Sequence, residues 1–136
     1  MKCLIDTNVL VSASLFPNSV PAGAFEKAVT FPNDGVVCDY SVDEMRRVYN
    51  RKFPHKLHIM AAFLSTMLLS VKVVTTPPED ESIDSEAAIR DIDDRPILRA
   101  AVKYDVDVLI SGDRDFLESG LTHPLILSPA EFLEME

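Results

Sequence analysis

Glycine, cysteine and long apolar runs are scarce in this sequence, and each scarcity excludes a class of protein. The chain has only four glycines and contains neither G-x-G-x-x-G nor G-x-x-x-x-G-K, so the usual phosphate-cradling loops are absent. Its two cysteines, Cys3 and Cys38, lie in apolar strand-like segments without C-x-x-C spacing. This placement predicts neither a zinc site nor a disulfide framework, and it favours free thiols in a reducing cytosol.

No stretch of the sequence has the length and apolarity of a membrane span or a secretion signal. The most apolar segment, 59–69, is interrupted by Ser65 and Thr66 and is too short to cross a bilayer. The N-terminus reaches Asp6 before any apolar segment of signal-peptide length. We therefore expect a soluble cytoplasmic protein, and 136 residues predict a single domain over 1–136 whose core needs no disulfide.

Basic residues are few relative to acidic ones. The chain has 13 Lys and Arg against 22 Asp and Glu, which gives a formal net charge of -9. Taken alone, this charge argues against a nucleic-acid partner. Two arrangements would weaken that argument: acids neutralised by a bound cation, or basic residues gathered on one face.

Short apolar strands alternate with amphipathic helices along the chain, which predicts parallel strands joined by right-handed crossovers. The predicted strands are 2–5, 36–38, 71–76, 106–110 and 125–127. The predicted helices centre on 24–29, 42–49, 56–70 and 96–102, and a last one follows a capping-box pattern at 128–131. The segment 33–35, Asn-Asp-Gly, is predicted to be a turn.

The predicted helix at 56–70 carries two apolar stripes, which fits either a core helix or an interface with another subunit or partner. The stripes are Leu57, Ala61, Leu64 and Leu68 on one side, and Met60, Phe63 and Met67 on the other.

Several acids follow predicted strands, and each has an ordinary structural explanation. Asp6 comes directly after the first strand and could cap a helix or hold a turn. Asp113 and Asp115 follow the fourth strand and could likewise be turn residues. Taken singly, none of them demands a chemical role.

Other acids lie where helices are predicted to begin. Glu44 could complete a capping box with Ser41, or Asp39 could cap the helix and leave Glu44 free in its second turn. Asp93 or Asp94 could be the N-cap of the helix that follows. The local pattern leaves these alternatives open.

The location that these acids share is more informative than any one of them. In a doubly wound sheet, the strand ends and helix starts that carry them fall along the carboxyl edge, where open α/β sheets bind ligands. Two unit charges about 4 Å apart repel by about 4 kcal/mol at an effective dielectric near 20, so such a cluster needs protons or a cation. Hard oxygen ligands without nearby cysteine or suitably spaced histidine select Mg²⁺ or Mn²⁺, which implies phosphate chemistry.

Four stretches together closely resemble the PIN domain, and more narrowly the VapC-like toxins of prokaryotic toxin–antitoxin pairs. They are 4–12 (LIDTNVLVS), 44–53 (EMRRVYNRKF), 93–101 (DDRPILRAA) and 109–117 (LISGDRDFL). The resemblance extends over essentially the whole chain. It implies the α/β class, as a three-layer α/β/α sandwich around a parallel sheet of about five strands. It also implies an often homodimeric nuclease that cleaves RNA with Mg²⁺ or Mn²⁺.

The same resemblance implies roles for particular side chains. The acidic site would be Asp6, Glu44, Asp94 and Asp113, with Asp115 as a fifth member and Asn8 and Ser111 at the supporting polar positions. The chain departs from the family pattern at Cys38, where many relatives have Ser, and at Ser111, where many have Thr. Asp91 and Asp93 are interpreted as surface or cap residues.

Basic residues gather beside the predicted site although the chain is acidic. Five of the 13 lie within 46–56, and Arg95, Arg99 and Arg114 flank the other acids. This pattern predicts a basic rim that positions RNA through its phosphates. The candidate RNA contacts are Arg46, Arg47, Arg51, Lys52, Arg95 and Arg114.

The leading hypothesis is a metal-dependent endoribonuclease, the toxin of a pair with a cognate antitoxin protein. Asp6 and Asp94 would bind the main cation, Asp113 and Asp115 would assist, and Glu44 would orient or deprotonate the attacking water. In-line attack would leave a 5′-phosphate and a 3′-hydroxyl. One alternative is a catalytically weak or inactive PIN scaffold that acts by binding, in part through the 60–67 face. Another is a nuclease directed at DNA.

Overall fold

The computed structural model describes residues 1–135 and has a parallel five-stranded sheet at its centre. The strands are β1 (Lys2–Ile5), β2 (Asp34–Cys38), β3 (Lys72–Val74), β4 (Val108–Ile110) and β5 (Leu125–Leu127). They lie in the order β3-β2-β1-β4-β5. Strand order therefore reverses at β1, and the predicted parallel α/β sheet is confirmed.

Helices cover both faces of the sheet. They are α1 (Thr7–Leu15), α2 (Val20–Val29), α3 (Asp39–Lys52), α4 (Leu57–Ser70), α5 (Arg95–Lys103), α6 (Arg114–Leu117) and α7 (Pro129–Glu134). Short 3₁₀ turns lie at Pro54–Lys56, Glu79–Glu81, Asp84–Ala88 and Ile92–Asp94. The predicted capping box opens α7, because Ser128 and Glu131 each accept the other's backbone N–H.

Alternate side chains of β1, β2 and β4 pack into two separate cores. Cys3 and Ile5 of β1 face a core that contains residues of α1 to α4 and α7. Leu4, between them, faces a second core formed with α5 and α6. This alternation is that of a sheet buried on both sides, and it gives the expected three layers.

The predicted turn at 33–35 is wrong in part, because Asp34 and Gly35 already belong to β2. Gly35 lies against α2, and a Cβ added there would come within 2.7 Å of Val29 Cγ1. The glycine thus permits close helix–strand packing rather than a turn.

The packing of α4 shows which of its apolar residues belong to the core. Met60, Phe63 and Met67 pack against the first core together with Leu64, so the face containing them is not a free surface. Leu68 is instead exposed. Within residues 1–135, no helix is long and apolar enough to cross a membrane.

Candidate active site

The ends of the two central strands bring their polar neighbours together at one level of the sheet. Ile5 of β1 is in register with Ile110 of β4, and the Asp6 backbone N–H donates to the Ile110 carbonyl at 3.0 Å. Asp6 and Ser111 are therefore adjacent, and the Ser111 hydroxyl donates to Asp6 Oδ2 at 2.7 Å. Asp6 Oδ1 accepts the Thr7 backbone N–H at 2.7 Å. Asp6 is thus both the N-cap of α1 and a member of the site.

The loop after β4 is fastened to the first turn of α1. Ser111 Oγ accepts the Asp113 backbone N–H at 3.0 Å, and Asn8 Oδ1 accepts the Gly112 N–H at 3.2 Å. Asp113 caps α6 by accepting the Asp115 N–H at 2.8 Å. Asn8 and Ser111, the predicted supporting residues, therefore hold the backbone that presents Asp6 and Asp113.

Glu44 lies in the second turn of α3, because that helix already begins at Asp39. Neither cap considered for this helix forms: Ser41 is buried inside the first turn with its Oγ 3.3 Å from Cys38 Sγ, and Asp39 is the first helical residue. The N-cap position is Cys38, which makes no side-chain cap hydrogen bond. Glu44 consequently has no capping duty, and its side chain lines the cavity described below.

Asp94 occupies the N-cap position of α5 but makes no side-chain cap hydrogen bond. Its side chain is buried, and Oδ2 has no hydrogen-bond partner. The other buried side-chain oxygen without a partner in the described part of the chain is Thr7 Oγ1, which lies beside Asp6. Both residues line the same cavity, so two of its polar side chains have unused hydrogen-bonding capacity.

Burial and mutual repulsion make full ionisation of these carboxyls unfavourable. Burial raises the pKa of Asp6 to about 7, against the opposing hydrogen bonds from Ser111 and Thr7. Burial, a hydrogen bond with the Asp113 carboxyl and the charge of Asp6 raise the pKa of Asp94 to about 9. The ion-free site therefore retains protons at neutral pH, which a bound cation would displace.

The carboxylate oxygens offer a set of ligands that fits a divalent cation. One oxygen each from Asp91, Asp94 and Asp115 lies within 4.8 Å of the others. All are hard oxygen donors. The sequence predicted only a surface or cap role for Asp91. It is indeed a cap, accepting the Asp93 N–H at 2.9 Å, but it also joins this group.

Asp115 has a second partner that the sequence did not reveal. Arg90 Nε lies 2.9 Å from Asp115 Oδ1, while the same guanidinium reaches Glu118 at 2.9 Å. Arg90 thereby ties the segment before Asp91 to α6. A local sequence pattern cannot predict this ion pair, because Arg90 and Asp115 are far apart in the chain.

The acids line one cavity of about 560 Å³. Its polar residues are Asp6, Thr7, Asn8, Ser12, Glu44, Asp91, Asp94 and Asp113. Arg51 and Lys52 supply positive charge on its wall, and its apolar side consists of Val11, Leu15, Phe16, Val48 and Phe53. Asp115 lies in an adjoining shallow depression together with Asp113 and Arg114.

The predicted basic rim forms only in part. Arg51 and Lys52 line the cavity, and Arg46 and Arg47 are exposed on the same helix, with the Arg47 guanidinium 5.7 Å from the Tyr40 ring centroid. Arg114 is exposed and pairs with Glu118 at 3.2 Å.

The two arginines on α5 do not join the rim. Arg95 Nε donates to the Ile89 carbonyl at 3.0 Å and lines a different cavity, with Glu79 and Asp93 among its residues. Arg99, predicted to flank the acids, is buried and bonded to Glu86, so that prediction is wrong. Both arginines instead hold the 77–94 segment against α5.

Comparison with known proteins places this arrangement in a family. A model of the PIN domain matches residues 2–115. The fold is similar to that of Rickettsia felis VapBC2, solved bound to a DNA fragment from its promoter, with a TM-score of 0.70, 12% identity and coverage of 94% of this chain and 98% of that one.

A second solved structure is Mycobacterium tuberculosis VapC20, described as a toxin that cleaves the sarcin-ricin loop. It matches with a TM-score of 0.60 and 16% identity, over 88% of this chain and 95% of that one. Comparison with curated protein sequences finds no significant match. Since the family model extends over most of the sequence and the acidic edge lies within it, the chain belongs to the PIN-domain family.

Proposed function

We propose that this protein is a divalent-cation-dependent endoribonuclease and the toxin of a toxin–antitoxin pair in the cytoplasm. The observation that carries the proposal is the convergence of Asp94, Asp6, Asp113 and Glu44 on one cavity, where the Asp94 carboxyl is buried beside other acids. Ionisation of acids gathered in this way is costly, because burial and each neighbouring negative charge oppose it. A cation between the carboxylates removes that cost.

The site residues divide the chemistry among themselves. Asp6 and Asp94 would hold Mg²⁺ or Mn²⁺, with Asp113, Asp115 and Asp91 supporting the ion directly or through water. A bound cation of this kind neutralises phosphate charge and lowers the pKa of coordinated water. Glu44, half-buried and free of capping, would orient the attacking water and accept its proton. In-line attack on phosphorus would break the P–O3′ bond and leave a 5′-phosphate and, once the leaving oxygen is protonated, a 3′-hydroxyl.

Positive side chains at the cavity supply the contacts with RNA phosphates. Arg51 and Lys52 lie in its wall, and Arg46, Arg47 and Arg114 are exposed nearby on α3 and α6. Such contacts position a strand without reading its bases. Arg95, turned toward another cavity, is left out of this set. The VapBC2 complex further supports an antitoxin as protein partner, and we infer that the active form is a homodimer.

Cleavage should depend strictly on the cation. We expect the purified protein to cut a 5′-labelled unstructured RNA in Mg²⁺ or Mn²⁺ and to lose all activity in EDTA, because the carboxylates cannot otherwise hold the phosphate. Mapping of product ends should find 5′-phosphates. DNA of the same sequence is the control for a nuclease directed at DNA. Cleavage that continues in EDTA would contradict the proposal, and absence of both cleavage and millimolar metal binding would favour an inactive scaffold.

Tyr40 connects Glu44 to the Asp94 segment and provides a second test. Its hydroxyl donates to the Asp93 carbonyl at 2.7 Å, and burial together with the nearby Glu44 charge raises its pKa to about 12. We expect Tyr40→Phe to lower the free energy of unfolding by about 1 kcal/mol. It should also lower kcat about five- to tenfold, because α3, which carries Glu44, is then no longer tied to the segment that carries Asp94.

Tyr104→Phe is the matched control, since the Tyr104 hydroxyl donates to the Thr75 carbonyl at 3.1 Å outside the cavity. It should cost similar stability and leave cleavage unchanged. Equal kcat values for the two variants would show that the Tyr40 hydrogen bond does not position Glu44.

A further inference from the structure

Arg90 is largely exposed, yet its side chain is committed to two partners at the edge of the acidic site. Its Nε lies 2.9 Å from Asp115 Oδ1, and its Nη2 lies 2.9 Å from Glu118 Oε2. The Arg90 side chain is 66% exposed, whereas that of Asp115 is only 25% exposed. Exposed ion pairs contribute little to folding stability, so stability does not account for the placement of this arginine.

The ion pair between Arg90 and Asp115 joins the two segments that supply the oxygen cluster. Asp91 and Asp94 belong to the cap and the 3₁₀ turn that follow Arg90, whereas Asp115 belongs to α6. One oxygen of each acid lies within 4.8 Å of the others. The cluster therefore keeps its dimensions only while the Asp115 carboxylate stays turned toward the other segment.

The backbone beside both members of the ion pair is fixed by packing. Ile89, which precedes Arg90, and Phe116, which follows Asp115, are fully buried and belong to the second core. The Ile89 carbonyl also accepts the Arg95 Nε–H at 3.0 Å. Packing of the neighbours fixes the Cα of Asp115 but leaves its side-chain torsions free, and the Arg90 guanidinium restrains them.

The charges around Arg90 favour a role within the protein over a contact with RNA. Its single positive charge faces two carboxylates, those of Asp115 and Glu118. Asp113 lines the same shallow depression. A phosphate that approached Arg90 would therefore meet an excess of negative charge, whereas a carboxylate already bound to it is held in place.

We propose that Arg90 is a positioning residue that holds the Asp115 carboxylate ready for the divalent cation, and that Glu118 holds Arg90 in turn. This inference rests on the proposed function, because it requires the cluster to bind a cation. Groups that hydrogen-bond to a metal ligand orient it, and their loss typically weakens metal binding about 10- to 100-fold. The charge of Arg90 also repels the cation, but solvent screens an exposed charge, so the orienting effect is the larger one.

Binding of Mn²⁺ alone, without RNA, tests this role directly. The paramagnetic resonance signal of free Mn²⁺ gives the dissociation constant of the parent and of each variant. We expect Arg90→Gln to raise that constant about tenfold. Arg114→Gln is the matched control, because within residues 1–135 Arg114 pairs with Glu118 and not with Asp115, and it should change the constant by less than about twofold. Both side chains are largely exposed, so the urea midpoints of the variants should equal that of the parent.

Cleavage of RNA at varied Mn²⁺ concentration separates this inference from the proposed function. Arg90→Gln should need about tenfold more Mn²⁺ for half-maximal cleavage and should reach the parental kcat and KM once the site is saturated. Unchanged or tighter Mn²⁺ binding by Arg90→Gln would overturn the inference and leave the nuclease intact, and a raised KM for RNA would then assign Arg90 to the substrate. Weaker Mn²⁺ binding by this variant of a protein that cuts no RNA would retain the inference and reject the nuclease.

Discussion

Asp94→Asn is expected to abolish RNA cleavage while it makes the ion-free protein more stable. The loss of activity should reach at least about 10²- to 10³-fold, as expected when a group that holds transition-state charge in a dry site is removed. Asp94 carries the unpartnered Oδ2 and belongs to the oxygen cluster with Asp91 and Asp115. An amide is a weaker ligand and carries no charge, so the cation loses its buried anchor.

The gain in stability follows from the sign of the pKa shift. Burial, Asp113 and Asp6 raise the pKa of Asp94 from 3.8 to about 9 in the folded chain. Between those values the folded state holds a proton that the unfolded state has released, so the free energy of unfolding falls as pH rises. Asparagine does not ionise and escapes this loss. The stability of the variant relative to the parent should therefore rise by up to about 4 kcal/mol between pH 5.5 and pH 8.5, at about 1.4 kcal/mol per pH unit.

Chemical denaturation in EDTA across this pH range measures the difference. Asp93→Asn is the matched control, because Asp93 lies in the same 3₁₀ turn but is exposed, and it should change neither cleavage nor stability appreciably. An Asp94→Asn protein that cleaves at the parental rate would refute the site. A stability difference that does not widen with pH would mean that Asp94 is ionised in the free protein.

The alternation of strand and helix predicted most of the fold, and the common edge of the strands predicted which acids meet. Asp6 and Ser111 follow neighbouring central strands in register, so their proximity is a consequence of topology. The role of Glu44 could not be predicted from sequence spacing, because a capping-box glutamate and a free glutamate in the second turn of the helix give the same sequence pattern. Only the start of α3 at Asp39 decides between them.

Local sequence patterns could not predict contacts between segments that are distant in the chain. On α5 the apolar residues Ile97, Leu98 and Ala101 are buried, yet Val102 is 37% exposed and the charged Arg99 is buried. The reason is the 77–89 segment, which lies over α5 and supplies Glu86 and the Pro77 carbonyl to the guanidinium. Asp91 was missed for a similar reason, since its membership in the oxygen cluster depends on α6 being nearby.

Arg99→Met should destabilise the fold by about 3–5 kcal/mol, the largest stability effect that we expect from a single change. Arg99 Nε lies 3.1 Å from Glu86 Oε1, and the two side chains are only 7% and 8% exposed. Arg99 also donates to the Pro77 carbonyl at 2.9 Å. Removal of the guanidinium leaves a buried carboxylate and a carbonyl without their partner, which costs far more than the net value of the pair.

An exposed ion pair on the same helix provides the control. Lys103 Nζ lies 3.7 Å from Glu81 Oε2, with both side chains about half exposed at 51% and 54%. Lys103→Met should change the free energy of unfolding by less than about 1 kcal/mol, because solvent screens the pair. Urea denaturation of both variants at neutral pH compares the same substitution to methionine in buried and exposed surroundings.

The double variant Arg99→Met/Glu86→Gln separates uncompensated charge from lost packing, because glutamine removes the charge and keeps an oxygen for the Ile83 N–H. If the orphaned Glu86 charge causes the loss, removal of that charge should restore at least about half of the stability, since an uncompensated buried charge is the main cost of breaking such a pair. A double variant as unstable as Arg99→Met would instead show that the guanidinium acts through its packing and its bond to Pro77. The 77–94 segment also contains Asp91 and Asp94, which line the acidic cavity. If cleavage recovers together with stability in the double variant, the attachment of this segment to α5 also positions these two acids.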